Sequence, residues 1–106
     1  GLSHAQALFD PEAAKFIDAR DKWEYGEGHI KGAVNIPEYI FEPSDTSKIR
    51  ADKNDLLVIY CGGNDCAISK RLAIELAELG YNQLFVFEGG WKEWNNAGYP
   101  ISKEQE

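Results

Sequence analysis

The feature of the sequence that most constrains the fold is the apolar run at residues 56–60, Leu-Leu-Val-Ile-Tyr. A continuous apolar run of strand length is typical of a strand covered on both faces, as in a parallel sheet. Two glycines follow shortly after this run, and apolar residues then recur at helical spacing between residues 66 and 79. Gly80 provides the stop signal for that helix. The pattern predicts a buried strand that leads through a short loop into an amphipathic helix.

Three other segments have the composition of short strands. Residues 15–19 contain an apolar pair followed by polar residues, and residues 84–87 are again apolar. Residues 32–37 predict a further short strand that Pro37 closes, because proline cannot donate a ladder hydrogen bond. We therefore expect several short strands spread along the chain.

Helical segments are predicted between these strands. A weak helical pattern lies within residues 6–14, and Asp21 is a suitable cap for a one-turn helix. A final helix is predicted at 91–97, and the polar segment 38–54 is expected to contain a short helix at 46–51. Strands that alternate with helices pair in parallel through right-handed crossovers. The expected fold is a small three-layer, doubly wound α/β domain with a central, mainly parallel sheet.

Size and charge restrict the kind of protein. The chain has 106 residues, of which 43% are hydrophobic, so residues 1–106 are expected to form a single domain with one core. The net charge is −7 and there is no basic stripe, which argues against nucleic-acid binding. No apolar stretch in this segment has the length of a membrane span, and a monomer is expected. The chain lacks Met and begins at Gly1, as an excised domain or a processed chain would. The compartment is left open, either cytoplasmic or periplasmic.

Cys61 occupies the position where chemistry is most expected. It ends the apolar strand and precedes the predicted helix, whose first N–H groups are unpaired and carry a partial positive charge. A thiol held there ionises more easily than a free thiol, and the thiolate is the nucleophilic form. Covalent sulfur chemistry at Cys61 is therefore the leading hypothesis.

Two groups of residues resemble the signatures of the rhodanese homology domain. The first group reads Phe-Ile-Asp-Ala-Arg at 16–20, Glu-Tyr at 24–25 and Gly-His-Ile-Lys-Gly-Ala-Val-Asn-Ile-Pro at 28–37. The second comprises Cys61, Gly-Tyr at 80–81, Val-Phe at 86–87, Glu-Gly-Gly-Trp at 88–91, Trp94 and Ala-Gly-Tyr-Pro at 97–100.

The resemblance implies a single-domain sulfurtransferase. Cys61 would accept a sulfane sulfur from a small donor such as thiosulfate and carry it as a persulfide. It would then pass the sulfur to cyanide, a thiol or a protein acceptor, with no cofactor and no metal. Inward-pointing backbone N–H groups at the helix end would bind substrate and stabilise the persulfide. These groups belong to Gly62, Gly63, Asn64, Asp65 and Cys66.

The loop departs from the family pattern. Counting forward from Cys61, the places where the family has glycine and arginine hold Asn64 and Cys66. Counting back from Gly80 gives a second register, in which Ser69 takes the family serine's place and Ile68 takes the arginine's place. Neither register contains an arginine, and a thiosulfate dianion would benefit from a fixed guanidinium. Persulfide or polysulfide donors, or a protein partner, are therefore as plausible as thiosulfate.

Two interpretations of Cys66 are left open. As a resolving cysteine, it would attack a persulfide or sulfenate on Cys61, close a disulfide and release sulfide or water. As a structural residue, it would be a small buried side chain at the start of the helix. The resolving role requires the two Cα atoms to approach within roughly 7 Å.

Other notable residues are expected to serve the fold. His29 is expected to bond the backbone and fix a turn, because buried histidines often do so. Asp18 and Arg20 are expected to form a salt bridge or cap near the end of their strand. Core packing is expected for the tryptophans, which are Trp23, Trp91 and Trp94.

Two other classes of function compete with sulfur transfer. Phosphatases and arsenate reductases that share this fold need a loop arginine, and residues 62–70 contain none, so this class ranks low. A sulfur-relay, redox or protein-binding module of a larger protein is the non-enzymatic alternative. Turnover with small donors distinguishes a sulfurtransferase from a relay, since a relay releases its sulfur only to its partner.

Overall fold

The structure is a computed structural model in which residues 1–63 and 66–103 are described. Within these residues the strands are β1 (Lys15–Asp18), β2 (His29–Ile30), β3 (Val34–Asn35), β4 (Leu56–Tyr60), β5 (Gln83–Phe87) and β6 (Ile101–Ser102). Four of them form a parallel sheet in the order β3, β1, β4, β5, and β2 pairs with β6 in a separate antiparallel ribbon. The expected central parallel sheet is confirmed.

Helices connect the strands. They are α1 (Leu2–Phe9), α2 (Lys22–Glu27), α3 (Ala67–Glu78) and α4 (Gly90–Asn96), with 3-10 helices at Glu38–Ile40 and Pro43–Lys48. The predicted helix at 66–79 is confirmed, with Cys66 as its N-terminal cap residue and Gly80 following at φ +102°. The short helix expected at 46–51 begins earlier instead, because Pro43 is pre-organised for the first helical turn. None of the helices in the described residues is long and apolar enough to cross a membrane.

Strand β4 is buried on both faces, as its apolar run predicts. Leu57 and Ile59 pack with Leu72 and Leu76 of α3 in one core cluster. The alternate residues of β4 face a second cluster, in which the side chains of α1 and α4 lie. Successive strand residues point to opposite sides of a sheet, so this alternation defines the three layers of the domain. Truncation of Leu72 or Leu76 to alanine is expected to cost about 2–5 kcal/mol.

Trp94 lies at the centre of the second cluster and is fully buried. Its ring meets Phe9 and Tyr99 edge to face at centroid distances of 5.1 Å and 5.0 Å. Its indole N–H donates to the carbonyl oxygen of Pro100 over 2.8 Å, so the polar atom of the ring is also satisfied. The core role predicted for Trp94 is confirmed.

The same prediction is wrong for Trp23, whose side chain is 64% exposed. Helix α2 buries Tyr25 instead. Residues two apart on a helix point to nearly opposite sides, so Trp23 and Tyr25 cannot both face the core. The β2–β6 ribbon was also not expected, because two-residue strands are too short to show an alternating pattern.

Candidate active site

Cys61 directly follows β4 and lies at the edge of the sheet where the carboxyl ends of β1, β4 and β5 meet. Parallel sheets bind their ligands at this edge. Cys61 is 2% exposed, and its Sγ lies 3.4 Å from the hydroxyl oxygen of Ser69, which is also buried in the first turns of α3. A hydroxyl at that distance can donate to a thiolate. Ser69 therefore joins Cys61 in the candidate site.

The structure joins Cys61 and Cys66 in a disulfide, with their Cα atoms 6.5 Å apart. This separation lies within the range over which a bridge closes without backbone movement. Cys66 is partly exposed, so it does not fit the interpretation of a fully buried structural residue. The geometric requirement of the resolving hypothesis is met. Among the described residues, no group of three or more His, Cys, Asp or Glu side chains could hold a metal ion.

Of the loop N–H groups expected to bind substrate, three can be placed. The Cys66 N–H donates to the Gly63 carbonyl oxygen over 3.3 Å. The N–H groups of Gly62 and Gly63 have no backbone acceptor within residues 1–63 and 66–103. Asn64 and Asp65 lie outside the described residues. Of the loop N–H groups that can be placed, those of Gly62 and Gly63 are therefore the ones not bonded to a backbone oxygen in this part of the chain.

The start of α4 holds the loop from one side. The Trp91 N–H donates to the Cys61 carbonyl oxygen over 2.8 Å, and the Lys92 N–H donates to the Gly62 carbonyl oxygen over 3.0 Å. Gly90 permits this approach, because it has φ +59° and a Cβ there would overlap the Cys61 carbonyl group. Gly90 thus lies at the point of contact between α4 and the loop.

A buried ionic network lies beneath the site. Asp18 is fully buried and binds Arg20 through a 2.8 Å ion pair, while Arg20 Nη2 also donates to the Gly28 carbonyl oxygen over 2.6 Å. The Tyr60 hydroxyl donates to Asp18 over 3.0 Å and accepts from the Ile30 N–H over 3.0 Å. The salt bridge expected between Asp18 and Arg20 is confirmed, and it ties β1 to the segment before β2.

Burial and the charge of Asp18 together set the pKa values of Tyr60 and Arg20 in this network. Burial raises the pKa of the Tyr60 phenol well above its ordinary value, and the neighbouring Asp18 charge raises it further. For Arg20, burial alone would lower the pKa, but the hydrogen bonds and charge of Asp18 outweigh it and raise the pKa. Tyr60 therefore stays a neutral donor, and Arg20 stays charged.

Trp91 connects this network to the loop. The Arg20 guanidinium lies 5.1 Å from the centroid of the Trp91 ring, within the range of a cation–π contact. Gly28 packs so closely that a Cβ there would lie 2.7 Å from the same ring. Trp91 is half-buried and, through its backbone, holds Cys61. This link was not foreseeable, since the three residues lie far apart in sequence.

His29 has the structural role predicted for it. It is fully buried, its Nδ1 donates to the Tyr25 carbonyl oxygen over 2.7 Å, and its ring stacks on that of Tyr25 at 3.7 Å between centroids. The Tyr25 hydroxyl donates in turn to the Ala33 carbonyl oxygen over 2.7 Å. These contacts fix the turn that precedes β3.

The basic residues that follow the loop in sequence are engaged elsewhere. Lys70 lies 3.5 Å from a Glu88 carboxylate oxygen, and Arg71 lies 3.4 Å from one of Glu38. Sequence reasoning missed Lys92, whose stem passes over the loop glycine Gly63. The signal that could have identified it is its place right after Trp91, in the turn of α4 that meets the loop.

The parallel sheet, the crossover helices and a cysteine at the end of the central strand define a rhodanese-like domain. The chain belongs to this family, because the family model of the rhodanese-like domain matches residues 2–97.

Individual relatives agree with this assignment. A Synechococcus elongatus protein named "Putative thiosulfate sulfurtransferase" is 33% identical, and the match covers 85% of this chain and 33% of that protein. The tRNA uridine(34) hydroxylase of Escherichia coli is 31% identical, with 93% of this chain and 30% of that protein covered. The solved structure of a rhodanese with anions from E. coli is 30% identical with a TM-score of 0.67, covering 86% of this chain and 99% of that one. The chain spans about a third of the length of these two curated relatives.

Proposed function

We propose that this domain is a sulfurtransferase in which Cys61 carries sulfane sulfur as a persulfide. The observation that carries the proposal is the position of Cys61 in a rhodanese-like domain, at the end of β4 and 3.4 Å from the Ser69 hydroxyl. A thiolate there would face a hydroxyl donor and the first turn of α3. The name of the S. elongatus relative supports the same reaction class.

The reaction has two displacement steps. The Cys61 thiolate attacks the outer sulfur of the donor, so that a new S–S bond forms and the donor S–S bond breaks. With thiosulfate the leaving group is sulfite, and with a persulfide donor it is a thiolate. A thiol or cyanide then attacks the outer sulfur and regenerates the Cys61 thiolate. Substrate binding is assigned to the loop backbone, with the N–H groups of Gly62 and Gly63 as donors, because the Cys66 N–H already donates to the Gly63 carbonyl oxygen.

The cycle starts from the reduced loop, so a thiol reductant must first open the Cys61–Cys66 disulfide. The disulfide also supports a resolving role for Cys66. In that step the Cys66 thiolate attacks Sγ of the Cys61 persulfide, the bond between Sγ and the outer sulfur breaks, hydrosulfide leaves and the Cys61–Cys66 disulfide forms again. A dithiol would then return both cysteines to thiols.

The experiment that tests the proposal is intact-mass analysis of the reduced chain after incubation with thiosulfate and, separately, with a polysulfide. The expected result is a gain of one sulfur atom with at least one donor. Cys61→Ala should show no gain, whereas the matched variant Cys66→Ser should still be loaded. Absence of any gain with both donors in Cys66→Ser, where no second thiol can discharge the persulfide, would refute the sulfurtransferase assignment.

A sulfur-relay or redox module is the second candidate. It is favoured by the Cys61–Cys66 disulfide and by the larger size of the relatives, which include a tRNA uridine(34) hydroxylase. A relay would accept one sulfur atom and hold it, with no continuous production of thiocyanate from thiosulfate and cyanide. Steady-state turnover of those two substrates would instead support the enzyme.

A further inference from the structure

The charge balance around the loop raises a question about donor recognition. The loop has no arginine between Cys61 and Arg71, although thiosulfate is a dianion. Lys70 and Arg71 are the next basic residues in the chain, and each pairs with a carboxylate, on Glu88 and Glu38. In the structure, both cations therefore lie at carboxylates.

Lys92 is placed differently. Its backbone N–H is bonded to the Gly62 carbonyl oxygen, which fixes the residue against the loop. Its Cβ and Cδ atoms lie 3.5 Å and 3.9 Å from where a Cβ on Gly63 would be, so the stem runs over that glycine. Its side chain is exposed, and it has no ion pair with any carboxylate in residues 1–63 and 66–103.

Two carboxylates flank Lys92 in the described part of the chain, those of Glu88 and Glu93. The Glu88 carboxylate pairs with Lys70, and the Glu93 carboxylate packs against the backbone of Gly89. A lysine ammonium is a compact charge on a flexible stem, so it can reach an anion without the fixed geometry that a guanidinium needs.

We propose that Lys92 is the anion-recognising residue of the Cys61 site and selects anionic sulfur donors over neutral ones. This inference deepens the proposed sulfur transfer and rests on it for the identity of the donor. In this proposal Lys92, a cation on the neighbouring helix α4, does the work of a fixed loop arginine. Thiosulfate, which the missing arginine disfavours, thereby becomes a recognised donor.

The test compares two alkylating reagents that differ in charge, anionic iodoacetate and neutral iodoacetamide. All variants carry Cys66→Ser, so that Cys61 is the only cysteine of the chain. Lys92→Gln should lower the ratio of the iodoacetate rate to the iodoacetamide rate by roughly threefold to tenfold, because it removes one nearby positive charge. Lys92→Arg should keep the ratio, and added salt should reduce it in the parent chain. Lys70→Gln is the matched control and should not change it.

An unchanged ratio in Lys92→Gln, or an equal fall in Lys70→Gln, would overturn the assignment. The sulfur donor is tested separately, through steady-state kinetics with thiosulfate. Lys92→Gln should raise KM for thiosulfate by a similar factor with a much smaller effect on kcat. If the parent chain shows the charge-dependent alkylation but never gains sulfur, anion recognition by Lys92 stands and the sulfurtransferase proposal fails.

Discussion

The backbone N–H of Trp91 donates to the carbonyl oxygen of Cys61 over 2.8 Å, so the first turn of α4 holds the point at which β4 becomes the loop. The Trp91 side chain lies at the same time against Arg20 and Gly28. The candidate nucleophile is thus positioned by a contact with α4, a segment distant from it in sequence. Local loop sequence alone does not set its position.

Gly90→Ala should displace this contact. The residue has φ +59°, and an added Cβ would overlap the Cys61 carbonyl group. We expect the free energy of unfolding to fall by at least about 2 kcal/mol, together with slower alkylation of Cys61. Urea denaturation measures the first effect. Gly26→Ala is the matched control: it lies inside α2 with open space around it and should stabilise the chain by about 0.5–1 kcal/mol.

Ser69→Ala should slow the reactions of Cys61. The Ser69 hydroxyl lies 3.4 Å from Cys61 Sγ, close enough to donate to the thiolate once the disulfide is reduced. Its loss should reduce the alkylation rate with iodoacetamide at neutral pH about tenfold, as expected for a hydrogen bond to a charged group. The measurement uses the reduced chain with Cys66→Ser. The exposed Ser44→Ala serves as the control, and an equal rate in the Ser69 variant would remove this role.

Asp18→Asn should be strongly destabilising. It leaves the buried Arg20 guanidinium without its partner carboxylate, and breaking a buried pair from one side costs about 3–5 kcal/mol. Replacing both residues by apolar ones, as in Asp18→Leu with Arg20→Met, should recover part of the loss. Chemical denaturation of the single variants Asp18→Leu and Arg20→Met, of the double variant and of the parent gives the coupling between the two sites. If the single and double variants were equally unstable, the unpaired Arg20 charge would not explain the loss of stability.

Tyr60 should make stability fall at alkaline pH. Burial raises its pKa above the unfolded value of about 10, so the folded chain retains a proton that the unfolded chain loses. The stabilising contribution is therefore complete below pH 10 and is lost as pH rises toward the folded pKa.

Tyr60→Phe is the variant that reveals this contribution. At pH 7 it should destabilise the chain by about 1–3 kcal/mol, since Asp18 and the Ile30 N–H lose their partner. Above pH 10 the difference in the free energy of unfolding between this variant and the parent should shrink. Unfolding curves in urea from pH 8 to pH 11 measure it. The exposed Tyr39→Phe should show neither effect, and a constant difference across this range would contradict the prediction.

Cys66→Ser should prolong the life of the Cys61 persulfide. In the parent chain, attack by Cys66 should release hydrosulfide and restore the disulfide that the structure contains. In the variant this route is closed, so the loaded form should accumulate and sulfide release should fall. A sulfide assay combined with non-reducing mass analysis follows both products. Equal sulfide release in the two chains would leave Cys66 without a resolving role.

The elements around the site were largely predictable because their signals are local. The apolar run of β4 and the helical spacing of α3 each depend on neighbouring residues, and both elements form where predicted. The cap at Asp21 was also correct. By contrast, Trp23 was assigned to the core from its residue type alone. Its exposure is set by which face of α2 meets the sheet, and that depends on the packing of Tyr25.

The sequence by itself determined the α/β class, the position of Cys61 after the central strand and the resemblance to a rhodanese-like domain. These follow from local periodicity and from motifs that occur along the sequence in the order typical of the family. Only the tertiary structure decided which groups contact Cys61 and its loop: the Ser69 hydroxyl at the sulfur, the Trp91 N–H at the Cys61 carbonyl oxygen, and the stem of Lys92 over Gly63. These contacts join segments distant in sequence, and they depend on how α3 and α4 pack against the carboxyl edge of the sheet.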